Sequence, residues 1–290
     1  MSKIAILTDS SCDMPQELAE KYGIDIMSFH ILLDNVDYIE RVSCTNEEFY
    51  QKMREAKGVP STAAITPIQF CEKYCQYVDE GYTDVIHVPI NRSGSSTYNN
   101  AVMAQGMLRE ERPEHHLKIH LLDPHTYSMV FGWYLCEMAR KLQNGAEVSH
   151  VINEFETQMN KMEIILGPYS LKQMKKSGRI SAAAAFAGEL LGLRPIITLI
   201  DGKTKVESKV RGDDKVIPAM VDLCKKRSEG VEDFDYMIGH TSIPQAAELE
   251  KACRKAFGKA PILTFNLGGV VSANTGPDTL ALVYVGKPRD

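Results

Sequence analysis

Residues 84–108 read DVIHVPINRSGSSTYNNAVMAQGML, a pattern typical of a strand, a tight turn and a helix. The mostly apolar residues 84–90 predict a buried strand, and residues 100–108 are predicted to be helical. Between them lies SGSSTY (residues 93–98), a turn of glycine and hydroxyl side chains. The unpaired N–H groups of a first helical turn and the hydroxyls beside them point at one position. We therefore expect a ligand with a small anionic head to bind at this turn.

A second hydroxyl-rich segment, PSTAAITP, occupies residues 60–67. Within the two segments, Thr62 and Ser95 can donate hydrogen bonds to a carboxylate without adding a formal charge. Each residue also has an ordinary structural interpretation, because Thr62 can stabilise a turn and Ser95 can cap the helix that follows it. The residues alone leave both interpretations open.

The composition of the 290-residue chain is that of a globular protein, with 44% hydrophobic and 24% charged residues. A net charge of −5 argues against a nucleic-acid partner, and we interpret the short basic clusters at 172–179 and 225–227 as solvated helix ends. The sequence contains no run of 18 apolar residues, so we expect no membrane span. Seven irregularly spaced cysteines, and an N-terminal strand in place of a signal peptide, predict a cytoplasmic protein.

Strands that alternate with helices predict an α/β fold of two domains, each a mostly parallel sheet with flanking helices. We place the boundary near 150–162, which gives an N-terminal domain at 1–160 and a C-terminal domain at 161–290. In the second domain, Asp201-Gly202 lies between two strand-like segments and predicts a β-hairpin. The spacing of Thr45 and Glu48 predicts a capping box at the start of a helix.

Six motifs, in the same order along the chain, resemble those of the DegV family, the bacterial fatty-acid-binding proteins. They are DSSCDMP (9–15), PST with the following TP (60–67), the segment that ends in SSTY (90–98), SGRIS (177–181), RPII (194–197) and ANTGP (273–277). Each motif is weakly specific alone, but their shared order covers nearly the whole chain.

The resemblance implies that the two domains enclose one long-chain fatty acid. Its carboxylate would lie at the domain interface and its acyl chain in a buried tunnel, with the acyl-chain pocket in the second domain. It also implies a non-catalytic subunit, without metal or cofactor, that presents the fatty acid to a separate fatty-acid kinase. The ligand-binding residues that it implies are Thr62, Ser95, Ser96, Thr97, Asn274 and Thr275. Arg179 and Arg211 are candidates for cleft support or for contact with the kinase.

The sequence departs from the family pattern at several of these positions. Residues 63–65 are Ala-Ala-Ile where the family has Ser, Gln and Pro. Asn274 stands where a histidine is usual, and Asp278 where glycine is usual. Asparagine keeps a hydrogen-bond donor but cannot take up a proton, so we expect any pH dependence at this position to be lost.

The small apolar residues at 180–193 leave space beside a helix that a lipid tail could fill, although close packing of a helix on a sheet explains them equally well. The alternative function is an enzyme that acts on a small phosphorylated or carboxylated substrate at the Ser95 turn. Such an enzyme needs a titratable group there, for which His240 and Asp9 are the candidates. A third possibility is a family member that binds a different apolar acid.

Overall fold

The computed structural model describes residues 3–178 and 192–289. In chain order, the described strands are β1 (Ile4–Asp9), β2 (Ile24–Met27), β3 (His30–Leu33), β4 (Val36–Ile39), β5 (Ser61–Ala63), β6 (Asp84–Val88), β7 (Lys118–Leu121), β8 (Met162–Pro168), β9 (Leu193–Ile200), β10 (Lys203–Arg211), β11 (Tyr236–His240), β12 (Leu263–Asn266) and β13 (Thr279–Val285). The described α-helices are α1 (Gln16–Tyr22), α2 (Asn46–Glu55), α3 (Pro67–Asp79), α4 (Thr97–Glu111), α5 (Met129–Gln143), α6 (Val148–Met159), α7 (Lys172–Ser177), α8 (Val216–Arg227), α9 (Gln245–Phe257) and α10 (Gly269–Thr275).

The first half of the chain contains a parallel sheet with the strand order β2-β1-β6-β7. Successive side chains of a strand point to opposite faces. Ile6 and Ile86 accordingly pack into one core with α5, while Leu7 and Val85 pack into a second core with α3 and α4. Because the strands carry apolar residues on both faces, helices must cover both faces of the sheet, as predicted from the sequence. The α/β fold class is confirmed.

The six-stranded sheet of the second half corrects one part of that prediction. Its strand order is β10-β9-β8-β13-β11-β12, and four of the five neighbouring pairs are antiparallel. The mostly parallel sheet expected there is wrong, for two reasons. A two-residue Asp201-Gly202 turn joins β9 to β10 and makes that pair antiparallel, and β13, which was not predicted, runs antiparallel between β8 and β11.

A small antiparallel sheet, ordered β4-β3-β5, lies beside the parallel sheet in the first half. Its strand β5 contains Thr62, whose partner across the sheet is Ile31. The hydroxyl-rich segment at 60–67 thus contains a short strand followed by the start of a helix. Thr66 caps α3 in a capping box with Gln69, and Thr45 forms the predicted capping box with Glu48.

Helix α5 packs against β2 of the parallel sheet and against β8 and β13 of the six-stranded sheet, and α6 packs against α5. Apolar side chains of both helices and of both sheets form one hydrophobic core. Helix α10 also joins the two halves of the chain. It follows β12 of the second half but packs against α2, β3 and β5 of the first half. The division into domains at 1–160 and 161–290 stays a prediction. None of the helices in the described parts of the chain is long and apolar enough to cross a membrane.

Candidate functional site

The polar residues of the site gather where β1 and β6 of the parallel sheet end. Asp9, at the end of β1, is completely buried. One carboxylate oxygen accepts hydrogen bonds from the N–H and hydroxyl of Ser11, and the other accepts the N–H of Ile90 at 2.6 Å. Burial raises the pKa of Asp9 to about 6, while these hydrogen bonds oppose the increase. Asp9 therefore fixes the backbone just before residues 93–98, the serine turn. Both carboxylate oxygens of Asp9 already accept hydrogen bonds.

The hydroxyls of the serine turn are partly engaged with one another. Ser95 Oγ accepts the N–H of Thr97 at 3.2 Å and lies 2.8 Å from Thr97 Oγ1. Ser96, rather than Ser95, occupies the cap position of α4, and its side chain makes no capping hydrogen bond. Ser95 and Thr97 therefore stabilise the turn, while the Ser96 side chain is exposed.

The tip of the β9–β10 hairpin packs directly on this turn. Ser93 Oγ donates a hydrogen bond to the carbonyl oxygen of Gly202 at 3.2 Å. A Cβ atom added to Gly202 would lie 2.1 Å from Ser93 Oγ, and the residue has a φ of +73°. Both the close approach and the left-handed backbone require glycine. The contact joins the two halves of the chain beside the serine turn.

Thr62 and Asn274 meet at a second place, in a cavity of about 220 Å³. Its wall consists of residues on both sides of the predicted domain boundary: Val59, Pro60, Ser61, Thr62, Lys176, Ser177, Ala273 and Asn274. Lys176 is exposed at the end of α7, as its interpretation as part of a solvated helix end predicted, and it also adds a positive charge to this wall. The structure thus brings Thr62, Asn274 and one cation together.

Asn274 also lines a smaller cavity of about 60 Å³ on the side of the serine turn. The residues around it are Ile90, Asn91, Gly94, Tyr127, Leu199, Gly202, Val270, Val271, Asn274 and Thr275. The amide of Asn274 donates to the carbonyl of Val270 at 2.8 Å, and the hydroxyl of Thr275 donates to that of Val271 at 3.1 Å. Asn274 connects the two cavities. Ser95, Ser96 and Thr97 are described but line neither of them, and the serine turn contributes Gly94 instead.

The position of Asn274 depends on how α10 is held, and two buried carboxyls of the first half hold it. Asp13 accepts the N–H of Gly268 at 2.8 Å, and Glu40 accepts the N–H of Val270 at 2.9 Å. Carboxylates suit the N-terminus of a helix because they complement its dipole and its unpaired N–H groups. Burial is the main cause that raises the pKa of Asp13 well above its usual value and that of Glu40 to about 7.

This carboxyl pair was not predicted from the sequence, although Asp13 lies in the DSSCDMP motif. The available signal was that Asp13 lies between Cys12 and Met14 and that Glu40 directly follows Ile39, so both acids have apolar neighbours. At the other end of α10, Asp278 accepts a hydrogen bond from Arg54 Nε at 3.1 Å, and Arg54 also donates to the carbonyl of Pro277 at 2.8 Å. Asp278, a departure from the family pattern, therefore ties the end of α10 to α2.

The two arginines named from the sequence lie elsewhere. Arg179 lies outside the described residues, as do residues 180–191 of the segment expected to face the acyl chain. Arg211 is exposed at the last position of β10. A nine-residue strand places it roughly 25 Å from the hairpin tip that contacts the serine turn. Arg211 is therefore remote from the serine turn, and it lines neither cavity.

The groups that an enzyme would need are held by other contacts. Both Asp9 oxygens accept buried hydrogen bonds, as described above. His240 Nδ1 accepts the N–H of Ser242 at 3.0 Å, and burial lowers the pKa of this histidine. The Ser242 hydroxyl lies 3.0 Å from Glu47, so this region forms another contact between the two halves.

Comparison with known proteins agrees over the length of the chain. A family model described as "Uncharacterised protein, DegV family" matches residues 3–287. A DegV domain-containing protein of Staphylococcus aureus is 30% identical over 294 residues, which cover 98% of each chain. Among solved structures, a DegV family protein of Thermus thermophilus described by its fatty acid binding is 25% identical, with a TM-score of 0.86 over 98% of this chain and 100% of that one.

A fatty-acid-binding DegV family protein of Streptococcus agalactiae is also 25% identical, with a TM-score of 0.87 over 99% of this chain and 100% of its own. The structural agreement thus extends over nearly the whole chain, as does the family model at residues 3–287. The chain therefore belongs to the DegV family.

Proposed function

We propose that the protein binds one long-chain fatty acid and does not act on it as an enzyme. The observation that carries the proposal is the agreement of the whole chain with two fatty-acid-binding members of its family. The cavities around Asn274 support it, because they combine hydroxyl and amide groups with apolar walls. A fatty acid requires this combination of a few donors at its head and a dry surface along its tail.

The carboxylate belongs, in this proposal, beside Asn274, where the two cavities meet. Thr62 approaches it from one side and Thr275 from the other, while Lys176 provides a compensating charge at the larger cavity. Ser95, Ser96 and Thr97 act from the serine turn, through their hydroxyls or by shaping the backbone at Gly94. These uncharged donors orient the head group and contribute less to affinity than the tail does.

The acyl chain runs along the apolar wall of Ile90, Leu199, Val270 and Val271, and continues into the second domain. Each buried methylene contributes about 0.8 kcal/mol, so a long chain contributes on the order of 10 kcal/mol before the cost of ordering it. This term exceeds the contribution of any single hydrogen bond to the head group, which is about 1 kcal/mol. Chain burial therefore dominates affinity.

The bound carboxylate is presented to a separate fatty-acid kinase in the cytoplasm. Arg211 supports a docking role, since it is exposed and lines neither cavity, so it can contact a partner without contacting the ligand. Arg179 is proposed as the second basic residue of the cleft or of the docking surface. No cofactor is required for either step on this chain.

The test is lipid extraction from the purified protein followed by mass spectrometry. We expect about one fatty acid per chain, and we expect added fatty acid to raise the melting temperature by mass action. If no lipid is extracted and added fatty acid leaves the melting temperature unchanged, the proposal is wrong. Release of phosphate from ATP by this chain alone, abolished by Ser95→Ala, would instead support the enzyme alternative.

A further inference from the structure

Two thiols and a carboxylate meet on a part of the molecule that the fatty-acid site does not use. Cys71 and Cys75 lie four residues apart on α3, so their side chains share one face of the helix. Glu111 is the last residue of α4, which packs against α3. The two sulfur atoms and a Glu111 carboxylate oxygen all lie within 4.8 Å of one another, and Cys75 Sγ is 3.6 Å from Glu111 Oε2.

The cluster has a buried side and an exposed side. Cys71 and Cys75 are buried among the aromatic side chains of α3, whereas Glu111 is exposed. Within residues 3–178 and 192–289, this is the single group of three such side chains whose ligand atoms converge. Cys224 and Cys253 also lie together in a buried core, but no acidic or histidine side chain of the described residues joins them in such a group.

We propose that Cys71, Cys75 and Glu111 form a binding site for a soft divalent metal ion of the zinc class, with water as the fourth ligand. Zinc favours thiolate and carboxylate ligands in a tetrahedron, at about 2.3 Å from sulfur and about 2.1 Å from oxygen. Two ligand atoms on one zinc ion are then about 3.5 to 4 Å apart. The separations in the structure, 4.8 Å at most, exceed this range by about 0.8 to 1.3 Å, so side-chain rotations can close the site.

The charge balance of the site favours a divalent ion. Both thiols lose their protons to solvent on binding, so the ion and two thiolates are neutral together and Glu111 keeps its single negative charge. The neighbouring Arg112 does not occupy the site, because its guanidinium is directed to Asp79 at 3.8 Å. The two buried thiols provide soft sulfur ligands in an apolar environment. Glu111 is exposed, so the ion can reach the site from solvent on its side.

The test uses the reduced, full-length protein and Cd²⁺ as a spectroscopic probe, since cadmium bound to thiolate absorbs in the near ultraviolet. We expect one Cd²⁺ per chain, displaced by Zn²⁺ in competition. Cys71→Ala and Cys75→Ala should abolish the absorption band. Glu111→Gln should weaken Cd²⁺ binding about tenfold or more. Loss of a residue that only hydrogen-bonds to a metal ligand already lowers metal affinity about tenfold, and loss of a ligand itself should lower it further. The matched control is Cys224→Ala, a buried thiol in another core, which should bind as the wild type does.

The exposed position of Glu111 keeps the test decisive if the alanine variants fail to fold, because Glu111→Gln leaves the core intact. Wild-type protein that shows no cadmium–thiolate band would overturn the proposal. Equal affinity in the wild type and in Glu111→Gln would overturn the three-ligand site. Fatty-acid content is measured separately, so neither outcome bears on the proposed lipid binding.

Discussion

Replacement of Glu40 by glutamine tests whether the buried carboxyl that holds α10 carries an unusual pKa. Glu40 is 6% exposed, and its carboxylate accepts the N–H of Val270 at 2.9 Å. Glutamine keeps a carbonyl oxygen for this hydrogen bond but cannot ionise. The substitution therefore separates the hydrogen bond from the buried charge.

The sign of the effect follows from proton linkage. Burial raises the pKa of Glu40 from 4.5 to about 7, although the nearby Arg41 acts in the opposite direction. The folded protein thus holds this proton more tightly than the unfolded chain does. The stability that the protonated group contributes is complete below pH 4.5 and is lost as the pH rises through 7. A pKa difference of about 2.5 corresponds to about 3 kcal/mol in total.

Urea unfolding of both proteins at a series of pH values measures this contribution. Between about pH 5 and about pH 8, the stability of the wild type should fall relative to Glu40→Gln by about 2 to 3 kcal/mol. A constant cost of burying the amide group does not affect this change. Carboxyls that do not interact with Glu40 titrate alike in both proteins, and the loss of repulsion between Glu40 and Asp13 or Asp9 acts in the same direction as the loss of the Glu40 charge itself. The control Glu17→Gln, at an exposed position of α1, should show no such change. If the difference between wild type and Glu40→Gln stays constant over this pH range, the argument is refuted.

Three further variants test the contacts of the site. Gly202→Ala should lower the free energy of unfolding by more than about 2 kcal/mol. The control Gly145→Ala, at a position with a similar backbone but no atom near the added Cβ, should lower it by about 1 kcal/mol. Equal losses in denaturant unfolding would contradict the contact with Ser93. Ser95→Ala should weaken fatty-acid binding by about 1–2 kcal/mol in a direct titration, and an unchanged Kd would remove this residue from the site. Asn274→His should make the affinity rise as the pH falls through about 6.5, because an imidazolium attracts the carboxylate; a flat pH profile would place the head group elsewhere.

The parts of the fold that the sequence predicted are those with a local cause. The serine turn follows a strand that is apolar on both faces, and Asp201-Gly202 specifies a two-residue hairpin turn by its left-handed backbone, with φ of 48° and 73°. Strand β13 was missed, although TLALVYV is buried along nearly its whole length. In a short, continuous apolar run, periodicity cannot distinguish a buried strand from a buried helix. The direction of strand β13 is set by its partner strands, which are distant in the sequence.

The candidate site shows the same division between local and distant causes. The resemblance to a family named Thr62 and Asn274, and the structure places them in one cavity. Asp13 and Glu40 were missed because they act on residues 255 and 230 positions away, and nothing near them in the sequence announces those partners. A buried acid is unusual enough to be recognised only when its burial is known.

Helix α10 links the buried carboxyls of Asp13 and Glu40 to the proposed head-group site at Asn274. It has seven residues, so it is only about 10 Å long. Its first N–H groups are held by Asp13 and Glu40, and its last turn carries Asn274 and Thr275 at the junction of the two cavities. A helix this short moves as a rigid rod, so a shift at the carboxyls displaces Asn274 by a similar distance. If the proposed head-group site at Asn274 is right, the residues that fix α10 should influence fatty-acid binding without touching the ligand, because a hydrogen bond weakens steeply with misalignment.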